Sequence, residues 1–274
     1  DSADPTIFVG ANDGMLHAFN AACASAARAS GCDVDGGKER WAYVPSMLLP
    51  RMRRLSVEPY VHDYYVDGQI NVRTIAAGSK RILVGGLGAG GMGLFALDIT
   101  GRAGLVAASE ADVARKVLWE ITPTTVNHAR PALPNAYVNL GYTFGSITLA
   151  RVAKTDAVIV GNGYNDGAGA YERCEHATPA YANCGGDYQA YLYVINALTG
   201  QLIRAIKAGG SGSASHPNGL STPAAVDSDG DGSVDIVYAG DLHGTMWKFD
   251  LARGTAVALL TTSPAQAITS TPAV

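Results

Sequence analysis

A short apolar strand ending in glycine occurs four times at nearly even spacing. It reads Ile7-Phe8-Val9-Gly10, Ile82-Leu83-Val84-Gly85, Val158-Ile159-Val160-Gly161 and Ile236-Val237-Tyr238-Ala239-Gly240. The closing glycines are 75, 76 and 79 residues apart, and self-similarity at a fixed period is the signature of a repeat architecture. After each comes a turn and a second strand closing on a polar residue, at 15–20, 93–98, 191–196 and 245–250. A further strand follows at 40–44, 116–121, 201–206 and 256–260, and candidates for a strand ahead of the glycine-ended one are 69–75, 145–152 and 222–226. Four short strands per unit, bounded by Gly, Asp-Gly and Pro signals, describe a β-propeller blade. One twisted four-stranded sheet cannot bury both faces alone, so neighbouring blades must cover it. The expected fold class is therefore all-β, a β-propeller of four-stranded antiparallel blades.

The unit count predicts one β-propeller domain over residues 1–274, with four blades visible and long insertions near 21–37 and 164–189. Ser270-Thr271-Pro272-Ala273-Val274 repeats the start of Ser221-Thr222-Pro223-Ala224-Ala225-Val226, which reads as the first strand of a fifth unit. The first unit begins at its second strand. Either the tail supplies that missing strand and closes a four-bladed ring, or these residues are part of a larger propeller. The second is expected, because units of about 75 residues are wide of the usual 40–50 or so. Short helices are expected only at 46–56 and 110–115, both between blades. Trp41, Trp119 and Trp247 fall at comparable strand positions in three units, which predicts packing between blades.

Composition narrows the function classes. The chain has 20 Lys plus Arg against 24 Asp plus Glu, a formal charge of −4, and 33 glycines. Mild acidity argues against a dedicated nucleic-acid binder, which needs a basic face. No apolar run approaches the roughly 18 residues of a membrane span. Asp1-Ser2-Ala3-Asp4-Pro5 has no basic and apolar leader, so any signal peptide is expected upstream or removed. The four cysteines form two local pairs, Cys23/Cys32 and Cys174/Cys184, each inside a turn-rich insertion and neither at zinc-site spacing. Two local disulfides are the economical expectation, with free buried thiols as the alternative. Disulfides would place folding in an oxidising compartment such as the periplasm or cell surface.

One motif carries chemistry. Asp227-Ser228-Asp229-Gly230-Asp231-Gly232-Ser233-Val234-Asp235 puts carboxylates at loop positions 1, 3, 5 and 9 and Gly at 6, as in the front of a calcium loop. The predicted ligands are Asp227, Asp229, Asp231 and Asp235, with Ser233 offering its backbone carbonyl. Alternate residues of a tight loop point inward, and Gly232 permits the sharp turn. Ca²⁺ is the expected cofactor, being hard, oxygen-seeking and tolerant of irregular geometry. This is not an EF-hand: position 12 is Tyr238, and the flanks read as the first two strands of the fourth blade. The competing reading is a solvated acidic hairpin. Asp33-Val34-Asp35-Gly36 is a weaker echo that reads as a surface turn.

No catalytic site is expected. His17 and His243 occupy blade turns or strands, and no Ser/His/Asp or Cys/His pattern stands out. Gly85-Gly86-Leu87-Gly88-Ala89-Gly90-Gly91 superficially suggests a phosphate cradle. It lacks the Lys-Ser/Thr ending of a P-loop and is better read as a blade hairpin. Arg51-Met52-Arg53-Arg54 reads as a solvated helix face.

Gly10-Ala11-Asn12-Asp13-Gly14 and Ile195-Asn196-Ala197-Leu198-Thr199-Gly200 resemble quinoprotein-type propeller repeats, which names a fold only. A narrower resemblance runs over nearly the whole chain. His62-Asp63-Tyr64-Tyr65-Val66-Asp67-Gly68, Leu140-Gly141-Tyr142-Thr143-Phe144, Asn218-Gly219-Leu220-Ser221-Thr222-Pro223 and Tyr238-Ala239-Gly240-Asp241-Leu242-His243-Gly244 are similar, in order, to the C-terminal propeller of the PilY/PilC family. These are type IV pilus biogenesis and tip-associated adhesin proteins of Gram-negative bacteria. The resemblance implies calcium at Asp227, Asp229, Asp231, Ser233 and Asp235, and calcium occupancy that tunes pilus extension against retraction and surface attachment. It also implies pilus minor subunits and a host or surface receptor as partners, and a location at the pilus tip or outer membrane after export through the periplasm. The Cys-bearing insertions are particular to this sequence. Two other readings compete. A quinone-dependent dehydrogenase would hold its metal on the central axis beside adjacent cysteines, which this chain lacks. A periplasmic scaffold propeller of outer-membrane assembly would share the repeat without needing the acidic loop.

Overall fold

A computed structural model describes residues 5–22, 35–125, 136–165 and 186–274. The first sheet has three strands, β1 (Thr6–Gly10), β2 (Leu16–Asn20) and β3 (Glu39–Tyr43). The second holds β4 (Ile70–Ile75), β5 (Lys80–Gly86), β6 (Leu94–Asp98) and β7 (Val117–Ile121). The third holds β8 (Thr148–Val152), β9 (Thr155–Gly161), β10 (Tyr191–Asn196) and β11 (Leu202–Lys207). The fourth holds β12 (Ala224–Val226), β13 (Ile236–Gly240), β14 (Thr245–Asp250) and β15 (Thr255–Thr261). Each sheet is an antiparallel meander in chain order, the blade pattern that the repeat predicts. Every blade carries a register shift between its last two strands, at Ala18/Phe19, Ala96/Leu97, Val194/Ile195 and Met246/Trp247. Such bulges add right-handed twist where a blade fans outward.

Alternation along the middle strands sends successive side chains to opposite neighbours. On β5, Leu83 packs toward the first blade while Ile82 and Val84 pack toward the third. On β9, Val158 and Val160 join the core with the second blade, and Ala157 and Ile159 join the core with the fourth. These strands are apolar at consecutive positions because both faces are buried, as in any sheet covered on two sides. Three cores result, joining blade one to two, two to three and three to four. Among the described residues no buried cluster joins the fourth blade to the first. Ile7 and Val9 of β1 are 53% and 45% exposed, and Val257 of β15 is 60% exposed.

The glycine that ends each blade's second strand position meets the lead-in to the next blade. A Cβ on Gly10 would lie 2.4 Å from the Val66 carbonyl. In the second blade the position is taken by Gly86 rather than the expected Gly85, whose Cβ would meet Phe95 of its own blade, and a Cβ on Gly86 would lie 2.8 Å from Thr143 Oγ1. On Gly161 it would sit 2.4 Å from the carbonyls of Leu220 and Ser221, and on Gly240 2.3 Å from Ile268. Ile268 therefore stands to the fourth blade as Leu220 stands to the third. The Gly-rich segment is likewise packed rather than open: Gly90 abuts the Tyr65 backbone, and Gly88 abuts Asp67 and Gly68.

The expected helix over 46–56 is broken into a 3₁₀ turn (Ser46–Leu48), α1 (Leu49–Met52) and a second 3₁₀ turn (Arg53–Ser56), with Pro50 in the first turn of α1. Two further helices, α2 (Gly101–Leu105) and α3 (Glu110–Ala114), lie between β6 and β7, so they sit inside the second blade rather than between blades. Ser109 caps α3 by accepting the Asp112 N–H. No helix of the described residues is long and apolar enough to cross a membrane. Cys23, Cys32, Cys174 and Cys184 lie outside the described residues, as do Asp33 and most of both insertions.

The tryptophans need one correction. Trp41 and Trp119 sit on the last strands β3 and β7, whereas Trp247 sits on the third strand β14. All three still pack between blades. The Trp41 indole donates to the Leu105 carbonyl at 3.1 Å and that of Trp119 to the Ala197 carbonyl at 2.9 Å, each in the next blade. Trp247 reaches back to the third blade, where a Cβ on Gly209 would meet its ring at 2.7 Å. Replacing Trp119 (7% exposed) by Ala is expected to cost about 3–5 kcal/mol through lost burial and a cavity. Trp119→Phe keeps most of the ring and strands the Ala197 carbonyl, for about 1–3 kcal/mol. Urea unfolding of both variants measures this, and an unchanged midpoint for Trp119→Ala would remove the ring from the interface.

Candidate metal centre

The acidic loop occupies residues 227–235 and joins β12 to β13. The corresponding connection takes residues 76–79 between β4 and β5, and only 153–154 between β8 and β9. Chain reversal in this fold therefore needs two residues, and the fourth blade uses nine. Gly230 and Gly232 adopt φ of 78° and 86°, which side chains disfavour, so the loop folds tightly only because these positions lack a Cβ.

The tight fold turns backbone N–H groups onto Asp227. Its Oδ1 accepts from Gly230 at 2.7 Å and Asp231 at 3.2 Å, and its Oδ2 accepts from Gly232 at 2.7 Å. The Gly232 N–H is the largest influence holding the Asp227 carboxyl below the ordinary aspartate range. Slight desolvation opposes it, and the Gly230 and Asp231 N–H groups reinforce it. Asp235 Oδ2 accepts from both the N–H and the hydroxyl of Ser228 at 2.9 Å. Asp227, Asp229 and Asp235 each offer a carboxylate oxygen within 4.8 Å of the other two.

This donor set fits a hard divalent cation. Two oxygens bound to Ca²⁺ at about 2.3–2.6 Å can be no more than about 4.6–5.2 Å apart, and the three carboxylates meet that limit. Asp231 is not one of the converging three; its Oδ1 accepts the Ser233 N–H at 2.7 Å. The spacing of the motif thus marks four acids, and the fold brings three together. Residues 227–232 are exposed, whereas Ser233 is buried. The Ser233 hydroxyl donates to the Ala153 carbonyl at 2.8 Å, and the Val234 N–H to the Arg151 carbonyl at 2.7 Å, both in the third blade. No sequence signal marks this docking, because the partners lie 80 and 83 residues away and act through their backbone.

The remaining candidates resolve into structural roles. The N–H groups of Leu87 and Gly88 donate to Thr143 Oγ1, and that of Ala89 to Asp67, so the Gly-rich segment points its donors at protein rather than at a phosphate. Arg51 is not on a solvated face: it pairs with Asp63 at 2.7 Å and donates to the carbonyls of Gly90 and Tyr64. His17 lies between Glu39 at 2.5 Å and Asp13 at 3.0 Å. Burial alone would lower its pKa, and the two carboxylates outweigh this and raise it. Asp241, 1% exposed, accepts from His243 N, Thr245 N, Asn218 Nδ2 and the Trp247 indole at 2.8–3.0 Å. Those donors satisfy a buried carboxylate without a cation.

A family model described as the PilY1 beta-propeller domain matches residues 1–274. The chain is 38% identical over 256 residues to a type IV pilus biogenesis factor PilY1 homolog of Xylella fastidiosa, covering 90% of this chain and 14% of that protein. It is 34% identical over 259 residues to the type IV pilus biogenesis factor PilY1 of Pseudomonas aeruginosa, covering 91% of this chain and 17% of that protein. The crystal structure of the Pseudomonas aeruginosa PilY1 C-terminal domain superposes with a TM-score of 0.64 at 30% identity, over 98% of this chain and 49% of that one. The chain thus spans a small part of the length of these curated relatives and about half of the solved domain.

The Asp227 geometry gives an acid-limb test. A depressed folded-state pKa contributes stability that is fully present above the unfolded value of about 3.9 and is lost as pH falls through the folded value. In EDTA, wild type is expected to lose stability below about pH 4 more steeply than Asp227→Asn. Urea midpoints at pH 6 and pH 2.5 read the difference, and equal acid slopes would show that the loop N–H groups do not hold this carboxylate.

Proposed function

The chain belongs to the PilY1 β-propeller domain family, and from that premise we propose that it is a non-enzymatic, calcium-binding propeller of a type IV pilus biogenesis factor. Two relatives that bear that description cover most of this chain. The observation that carries the calcium reading is the nine-residue loop where two residues suffice, with the carboxylates of Asp227, Asp229 and Asp235 converging within 4.8 Å. Bound Ca²⁺ would supply the positive charge that three converging carboxylates lack.

The chain's own residues divide the work. Asp227 is oriented by three backbone N–H groups and Asp235 by Ser228, so two of the carboxylates are positioned before any cation arrives. Asp229 and Asp231 lie on the exposed part of the loop and order with occupancy. An ordered rim then presents a different surface to a partner than a frayed one, and partner affinity follows through linkage. On this reading the partners are pilus minor subunits and a surface or host receptor. The place of action is the pilus tip or outer surface of a Gram-negative cell, and the output is the balance of pilus extension, retraction and attachment.

Calorimetric titration with Ca²⁺ is expected to give saturable binding. The melting temperature should rise in step, with about 2.7 kcal/mol of added stability at a free concentration one hundred times Kd. Mg²⁺ should be weaker, since it demands stricter octahedral geometry. Asp229→Ala should abolish the rise while leaving stability in EDTA within about 0.5 kcal/mol of wild type, as expected for an exposed substitution. Identical melting with Ca²⁺ and with EDTA, together with no binding heat, would end the calcium reading.

A further inference from the structure

We infer that Ser233 is a positioning residue whose hydroxyl clasps the metal loop to the third blade, so that cation occupancy is felt at the joint between blades three and four. The inference rests on the calcium reading above and adds the route by which occupancy leaves the loop. The loop has two halves of different character. Residues 227–232 are exposed and bond to one another, whereas Ser233 and Val234 bond to the neighbouring blade. Their acceptors are the carbonyls of Ala153, in the β8–β9 turn, and of Arg151, near the end of β8. Asp235 follows at once and offers one of the three converging carboxylates. Its N–H donates to Val226 and its carbonyl accepts from Leu251. A single run of three residues therefore carries the clasp, a metal-facing carboxylate and the return into β13.

The acceptor side is itself under constraint. Ala153 adopts φ of 52°, a left-handed conformation that residues with a Cβ enter at a cost. A two-residue turn holding Ala in that region presents its carbonyl in one direction, and the Ser233 hydroxyl meets it at 2.8 Å. Ordering the loop on a cation favours this bond, and the bond favours the ordered loop. By linkage the two effects are equal, so weakening either weakens the other.

The test is Ser233→Ala, which keeps the backbone carbonyl and removes the hydroxyl. Calorimetry should show Ca²⁺ affinity weakened about three- to tenfold, the value of one hydrogen bond. Hydrogen exchange should show Ca²⁺ slowing the amides of 227–236 and of 151–156 in wild type. In Ser233→Ala the slowing of 151–156 should be lost while that of 227–236 persists at saturating Ca²⁺. Ser233→Thr, which restores the hydroxyl, should recover both effects, and unchanged exchange in β4, β5 and β6 verifies that the variants fold. Wild-type affinity in Ser233→Ala, or a wild type whose 151–156 segment ignores Ca²⁺, overturns the clasp while leaving the calcium reading standing. A wild type that binds no Ca²⁺ removes the calcium reading, and the clasp with it.

Discussion

Everything in this fold depends on one blade covering the face of the next. A four-stranded sheet with apolar residues on both faces is unstable alone, and the middle strands of the second and third blades send alternate side chains into two different cores. Leu83 and Ile82 are adjacent in the chain yet belong to separate interfaces. Burying a side chain of that size contributes about 1.5–3 kcal/mol, so each interface gathers many such terms, and no blade keeps its share without its neighbour. The glycines set how closely neighbours approach. At Gly10, Gly86, Gly161 and Gly240 the lead-in to the next blade lies where a Cβ would be, and the same step recurs four times.

This constraint explains why the strands were legible in the sequence. All fifteen fall on segments that the repeat marks; in the middle strands of the second and third blades burial on both faces leaves a continuous apolar run, and close approach between blades leaves a glycine. What was not legible depends on features outside the period. Pro50 breaks the segment 46–56 into short turns, and α2 fills an excursion between β6 and β7 that the short β10–β11 and β14–β15 connections lack. Trp247 takes the strand position of Phe95 and Tyr193, not that of Trp41 and Trp119, yet fills the same kind of gap by packing on Gly209. Aromatic bulk between blades is required; the strand that supplies it is not.

The acidic loop was legible as a motif because its spacing is local. Its division of labour was not. Asp231 shares the register of the other acids, but the turn that brings the Ser233 N–H to its Oδ1 withholds it from the converging group. The clasp of Ser233 to Ala153 is a contact between residues 80 apart, and a serine there reads the same whether its hydroxyl faces water or a neighbour. Aspartates of the same blade make the contrast plain. Asp241 is buried among four donors and has its charge answered by protein dipoles. Asp227, Asp229 and Asp235 converge at the surface with no basic side chain paired to them among the described ion pairs. Like charges held together in this way repel one another, which is the ground of the calcium reading proposed above.

The position of that loop limits what a cation there can do. The core between blades three and four is close-packed, with Ile159, Leu192, Val237 and Phe249 fully buried, and close-packed interfaces resist gradual deformation. Occupancy of a surface loop cannot pry such blades apart. On the calcium reading it would order residues 227–232 and tighten the two hydrogen bonds to Ala153 and Arg151, at the end of β8 and the turn after it. On the calcium reading proposed above, a metal at this site would act by reshaping the loop surface rather than by moving the blades. The rigid stack beneath supplies the fixed frame against which any change in loop order would be read.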